Sequence, residues 1–81
     1  MIKVTMYTLS TCPWCLKTKK YFADHHVPFE FTDYDLADEA TQERISRELD
    51  AAGAGGFPVV RIGALIIEGY RPDRFAELLG L

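Results

Sequence analysis

Ile2-Lys3-Val4-Thr5-Met6-Tyr7-Thr8-Leu9-Ser10-Thr11-Cys12-Pro13-Trp14-Cys15 is the stretch from which the fold is read. Residues 2 to 8 alternate Ile, Val and Met against Lys, Thr and Tyr, the period-two pattern of a strand, and run into a polar Ser10-Thr11 turn. Pro13 suits the first position of a helix, where its missing N–H would be unpaired in any case. That helix, about residues 13 to 25, sets Cys15, Lys19 and Phe22 near one face.

Beyond it, Val27-Pro28-Phe29-Glu30-Phe31-Thr32 reads as a second strand, with Pro28 at its entry where no ladder donor is needed. Asp38 to Ala52 lacks Gly and Pro and aligns Thr41, Ile45, Leu49 and Ala52, which predicts a second helix. It stops in Gly53-Ala54-Gly55-Gly56. Phe57 to Ile62 and Leu65 to Ile67 then flank Gly63-Ala64 as a hairpin, and Pro72 opens a last helix burying Phe75, Leu78 and Leu79. The order β-α-β-α-β-β-α needs a parallel right-handed crossover followed by antiparallel strands. An α/β fold of the thioredoxin-like class is expected, a four-stranded mixed sheet flanked by helices.

At 81 residues, with no linker and no repeat, a single domain over 1–81 is expected. Hydrophobic residues make up 48% and charged residues 26% of the chain, a globular balance rather than a disordered one. The formal net charge of -3, with both signs interspersed, speaks against a nucleic-acid partner. No apolar run approaches the ~20 residues of a membrane span. The strand begins at once, leaving no room for a signal peptide, so a cytoplasmic location is expected; the chain is also expected to be a monomer.

The two cysteines are separated by only two residues, and closing so short a loop constrains the unfolded chain by roughly 2 kcal/mol, against nearly 5 for a loop of about 100 residues. Chemistry explains the pair better than stability does. Cys12 sits where a helix starts, so its sulfur faces unpaired N–H groups and the positive end of the helix dipole, which favour thiolate. A cysteine of pKa near 8.5 is only roughly 3% ionised at pH 7, whereas one at about 7 is half ionised. Cys12 is therefore the expected nucleophile, and Cys15, one turn in, the expected resolving thiol. A zinc reading of Cys-x-x-Cys needs two more ligands. Only His25 and His26 are available, and adjacent helical residues point about 100° apart; they read instead as dipoles near a helix C-terminus, and no metal is expected. Trp14 reads as a partner-docking side chain, and Lys17, Lys19 and Lys20 as mainly a solvated helix face.

Cys12-Pro13-Trp14-Cys15 after a first strand, Phe57-Pro58-Val59-Val60 before a hairpin, and Gly69-Tyr70-Arg71-Pro72-Asp73 opening the last helix together resemble the glutaredoxin family. The resemblance implies a thiol-disulfide oxidoreductase that reduces protein disulfides or glutathione mixed disulfides, with no tightly bound cofactor. It implies that Pro58 is cis, and that Pro13, Trp14, Phe57, Pro58, Gly69, Tyr70 and Arg71 bind substrate, Arg71 as an anion contact.

Two branches of the family pull apart. Cys-Pro-aromatic-Cys is similar to glutathione-using glutaredoxins, yet those usually carry Lys where this chain has Leu9, Thr-Val where it has Gly56-Phe57, and Gly-Gly where it has Glu68-Gly69. Glu68 should repel glutathione carboxylates, and Leu9 removes a positive partner for them. Glu68 to Asp73 is closer to NrdH-type redoxins, which take electrons from thioredoxin reductase and pass them to ribonucleotide reductase. Both glutathione and thioredoxin reductase stay open as electron donor. An alternative, a glutathione-dependent iron-sulfur cluster carrier, fits less well, because such sites favour a single cysteine without a neighbouring Pro.

Overall fold

Alternation makes the first strand, and one face of it makes the core: Val4, Met6 and Thr8 of β1 (Val4–Thr8) are buried while Thr5 and Tyr7 are half-buried. The computed structural model describes residues 2–81. Along the chain follow α1 (Pro13–Asp24), β2 (Glu30–Asp33), a short 3-10 turn at Tyr34–Leu36, α2 (Glu39–Ala52), β3 (Val59–Ile62), β4 (Leu65–Glu68) and α3 (Pro72–Leu79). The sheet order is β2-β1-β3-β4. β1 runs parallel to β2 and antiparallel to β3, which pairs antiparallel with β4. This is the thioredoxin-like arrangement that the element order predicts.

Val4, Met6, Val60, Ile62 and Ile67 on one sheet face close on Phe22 of α1 and Phe75 of α3, whose rings meet at 4.9 Å. α2 covers the other face. Its register is fixed by Asp38, whose side chain accepts from the Thr41 N–H at 3.0 Å, and it is closed by Gly53 in the left-handed region at φ 70. Of its expected apolar stripe only Ile45 is fully buried, and Glu48 accepts a hydrogen bond from the Tyr7 hydroxyl.

β2 begins three residues later than the Val27 start expected from sequence. α1 ends in a turn in which His26 takes φ 57 and the Val27 N–H donates to the Phe22 carbonyl at 2.9 Å. Pro28 offers no donor, so pairing with β1 starts only at Glu30 opposite Thr5. The 3-10 turn after β2 was not expected. Among the described residues no helix is long and apolar enough to cross a membrane.

Candidate active site

The Ser10-Thr11 turn leads into α1 with Cys12 as its N-cap residue, in extended conformation at φ -81 and ψ 118, and Pro13 in the first turn. The Cys12 N–H donates to the Leu9 carbonyl at 3.2 Å and its carbonyl accepts from the Leu16 N–H at 3.1 Å. Its sulfur is thereby aimed along the helix start, where the Cys15 N–H donates to it at 3.4 Å. Burial works against ionisation of Cys12, but hydrogen bonds from the Cys15 thiol and from the N–H groups of Cys15 and Trp14 outweigh it. The thiol is held below its ordinary value.

Cys15 differs in kind. It has no exposed surface, and burial, joined by the neighbouring Cys12 sulfur, pushes its thiol up to about 11, against a partial offset from the Leu9 N–H, which donates to Cys15 Sγ at 3.4 Å. Both cysteines are free thiols, one part-exposed and one buried, on consecutive turns of the same helix.

Around Trp14, two residues after Cys12, the structure gathers residues from distant parts of the chain. Trp14, Phe57, Pro58, Gly69 and Tyr70 line an open groove. The Phe57–Pro58 peptide is cis, as the resemblance implies. The Pro58 carbonyl accepts from the Gly69 N–H at 2.7 Å, and Gly69 takes φ +90, a conformation that a side chain would strain. Trp14, 56% exposed, stacks on Tyr70 with ring centroids 6.0 Å apart, and the Lys17 ammonium stands 5.2 Å and 5.4 Å from the two ring centres. Trp14 thus faces solvent on one side and is braced from the other.

Pro13 and Arg71 are set outside this groove lining: Pro13 forms the helix start, and exposed Arg71 donates from Nε to the Glu68 carbonyl at 3.4 Å. Leu9 and Glu68 do not line it either. The Glu68 carboxylate accepts from the Gly55 N–H at 3.2 Å and so fastens the glycine segment that leads to Phe57. One expectation is corrected. Lys17 and Lys20 lie on an exposed face, Lys20 paired with Asp24 at 2.8 Å, but the Lys19 side chain is 17% exposed and pairs with Asp33 at 3.0 Å. Lys19 is not part of a solvated face because its stem folds back over β2, with its ammonium 3.8 Å from the Phe31 ring centre.

Three supporting residues were missed from sequence, and they are consecutive. Asp33 accepts from the Thr8 hydroxyl at 2.5 Å, Asp35 accepts from the Ser10 N–H at 2.9 Å and from its hydroxyl, and the Tyr34 ring lies 5.6 Å from Phe57. The signal was available: a strand parallel to β1 must deliver its following loop beside the Cys12 turn. His25 caps α1 with its ring 4.4 Å from that of Tyr21. Among the described residues no three His, Cys, Asp or Glu side chains are grouped to hold a metal ion.

Comparison with known proteins agrees with this geometry. The sequence profile of the family Glutaredoxin matches residues 4–67. A glutaredoxin-like 8.6 kDa protein of the Clostridium pasteurianum rubredoxin operon, itself uncharacterized, is 34% identical over 98% of this chain and 97% of its own length. The glutaredoxin-like protein NrdH of Escherichia coli K12 is 32% identical over 95% of this chain and 89% of its own. Among solved structures, a glutaredoxin from Archaeoglobus fulgidus superposes with a TM-score of 0.82 at 34% identity, covering 98% of this chain and 87% of that one. Escherichia coli NrdH-redoxin, described as having a thioredoxin-like activity profile, gives 0.80 at 30% identity over 94% and 93%.

Proposed function

The chain belongs to the glutaredoxin family of thiol-disulfide oxidoreductases, and on that premise we propose that it reduces protein disulfides through a dithiol cycle in which Cys12 attacks and Cys15 resolves. The observation that carries this reading is the asymmetry of the two thiols, one lowered and part-exposed, the other raised and buried. Cys12 thiolate attacks one sulfur of the substrate disulfide, the substrate S–S bond breaks, and the departing sulfur takes a proton. Cys15 then gives up its proton and attacks Cys12 Sγ. The mixed disulfide breaks, the second substrate thiol leaves, and two electrons have passed from the Cys12–Cys15 pair to the substrate.

The groove of Trp14, Phe57, Pro58, Gly69 and Tyr70 receives the substrate chain beside the sulfur, with Pro13 shaping its entrance and Arg71 as an anion contact at its edge. The likeness to NrdH supports ribonucleotide reductase as a protein substrate and thioredoxin reductase as the donor that returns the two electrons; we propose in addition that the chain works in the cytoplasm as a monomer. Glutathione as donor is a second reading, favoured by Pro13 and Trp14 between the cysteines. An electron-transfer assay that offers the oxidised protein either thioredoxin reductase with NADPH or glutathione with its own reductase separates the two. Turnover with thioredoxin reductase alone is expected. Turnover with glutathione alone transfers the proposal to the second reading, and turnover with neither overturns both.

A further inference from the structure

Cys15 is buried, and burial alone disfavours its thiolate, yet the dithiol cycle asks it to lose a proton and attack near neutral pH. Something near it has to favour the thiolate. Lys19 lies one helical turn further along α1 from Cys15, at the i, i+4 spacing that places two side chains on one face. Its ammonium is held at a fixed place: Asp33 Oδ1 accepts from it at 3.0 Å, the same oxygen accepts from the Thr8 hydroxyl at 2.5 Å, and the Phe31 ring closes the third side at 3.8 Å.

Solvent reaches little of this pair, with side chains 17% and 16% exposed, so its field is screened less than that of a surface ion pair. Lys19 acts on Cys15 in the direction of thiolate. The groups that act on the Cys15 thiol are Cys12 and Lys19 on α1 and the Leu9 N–H of the loop after β1; Lys19 in turn pairs with Asp33 at the end of β2 and acts on Asp35 of the 3-10 turn.

We propose that Lys19, fixed by Asp33 and Thr8, is a positioning residue for the resolving half of the reaction, its ammonium stabilising the Cys15 thiolate as it attacks Cys12 Sγ. This rests on the dithiol reading above and adds to it the group that makes a buried thiol competent. Lys19 keeps its proton throughout. The Cys15 proton passes to the departing thiol or, where that group is a weak base, to solvent, while one S–S bond breaks and one forms.

Stopped-flow reaction of the full reduced chain with an excess of a chromogenic nitrobenzoate disulfide reads the two halves separately. The first release of the coloured thiolate reports attack by Cys12, the second reports attack by Cys15. In Lys19→Met, which keeps the apolar stem, the first phase is expected to match the wild type. A Cys15 pKa raised by one unit lowers its thiolate tenfold and raises its nucleophilicity about threefold, so the second phase should slow about threefold at pH 7 and its pH midpoint should move upward. Lys19→Arg should restore it. Asp33→Asn, which keeps an acceptor for Lys19 and Thr8 but removes the opposing charge, should speed the second phase, and keeps the test open if Lys19→Met fails to fold. An unchanged second phase in Lys19→Met, or equal slowing of both phases without rescue by Arg, overturns the role of Lys19. Absence of any second release in the wild type overturns the dithiol reading itself.

Discussion

A difference of one helical turn sets the chemistry of the two sulfurs apart. Cys12 ends the turn and receives N–H groups, whereas Cys15 is swallowed by the core, so brief alkylation at pH 7 should place a single adduct, on Cys12, by mass spectrometry. Cys15 should react only as pH approaches its raised value of about 11. Cys12→Ser should abolish disulfide reduction, and Cys15→Ser should accumulate a mixed disulfide with a protein substrate, visible on a non-reducing gel; full turnover by Cys15→Ser would contradict the resolving role. Glu68 has a structural task as well as a charge. Its carboxylate serves Gly55, so a glycine there would remove an anchor as well as a charge. Glu68→Gln retains an acceptor and removes only the charge. If that charge opposes glutathione, the variant should use glutathione up to about fivefold better, more at low salt than at high, as expected for an exposed contact of about 1 kcal/mol or less.

Elements whose pattern is local were legible in the sequence, and those held by distant partners were not. Pro13 after a polar turn announces α1, and the Gly/Pro-free run to Ala52 announces α2, because capping and periodicity act within one segment. Three residues are too few to show a period, so the Tyr34–Leu36 turn was invisible, and Lys19 looked solvated because Asp33 lies on another element. The cis bond at Pro58 and the groove around Trp14 came from resemblance, since no spacing rule brings Phe57 and Tyr70 to Trp14. The Asp33-Tyr34-Asp35 segment can be tested as a support for the Cys12 turn. Asp35→Ala removes both acceptors that hold Ser10, so hydrogen exchange at the Ser10 amide should accelerate while amides of β1 keep their protection. Equal acceleration in both would mean that Asp35 supports the fold at large rather than the turn.

At the scale of the molecule, the reacting helix and the groove wall share one foundation. Phe22 of α1 and Phe75 of α3 are both fully buried, and Phe75 also meets Tyr21 and Tyr70, with centroids 5.7 Å and 6.3 Å away. Tyr70 in turn braces Trp14, so a chain of rings runs from the core to the docking surface. Phe75→Ala removes a large buried ring, at a cost of about 3–5 kcal/mol, a large share of the ~5–15 kcal/mol that holds a small domain folded. The urea midpoint should fall while the slope of the transition stays the same, because the surface exposed on unfolding is little altered. The two functional halves should then respond differently. Cys12 takes its low thiol from the start of α1, which Phe22 still anchors, so its alkylation rate at neutral pH should persist in the folded variant. Tyr70 loses its support, so apparent binding of a protein disulfide substrate should weaken, seen as a raised KM with kcat preserved. If alkylation of Cys12 slows as much as substrate binding weakens, the nucleophile and the docking groove are coupled through the core, and the independence of the helix start from α3 is refuted.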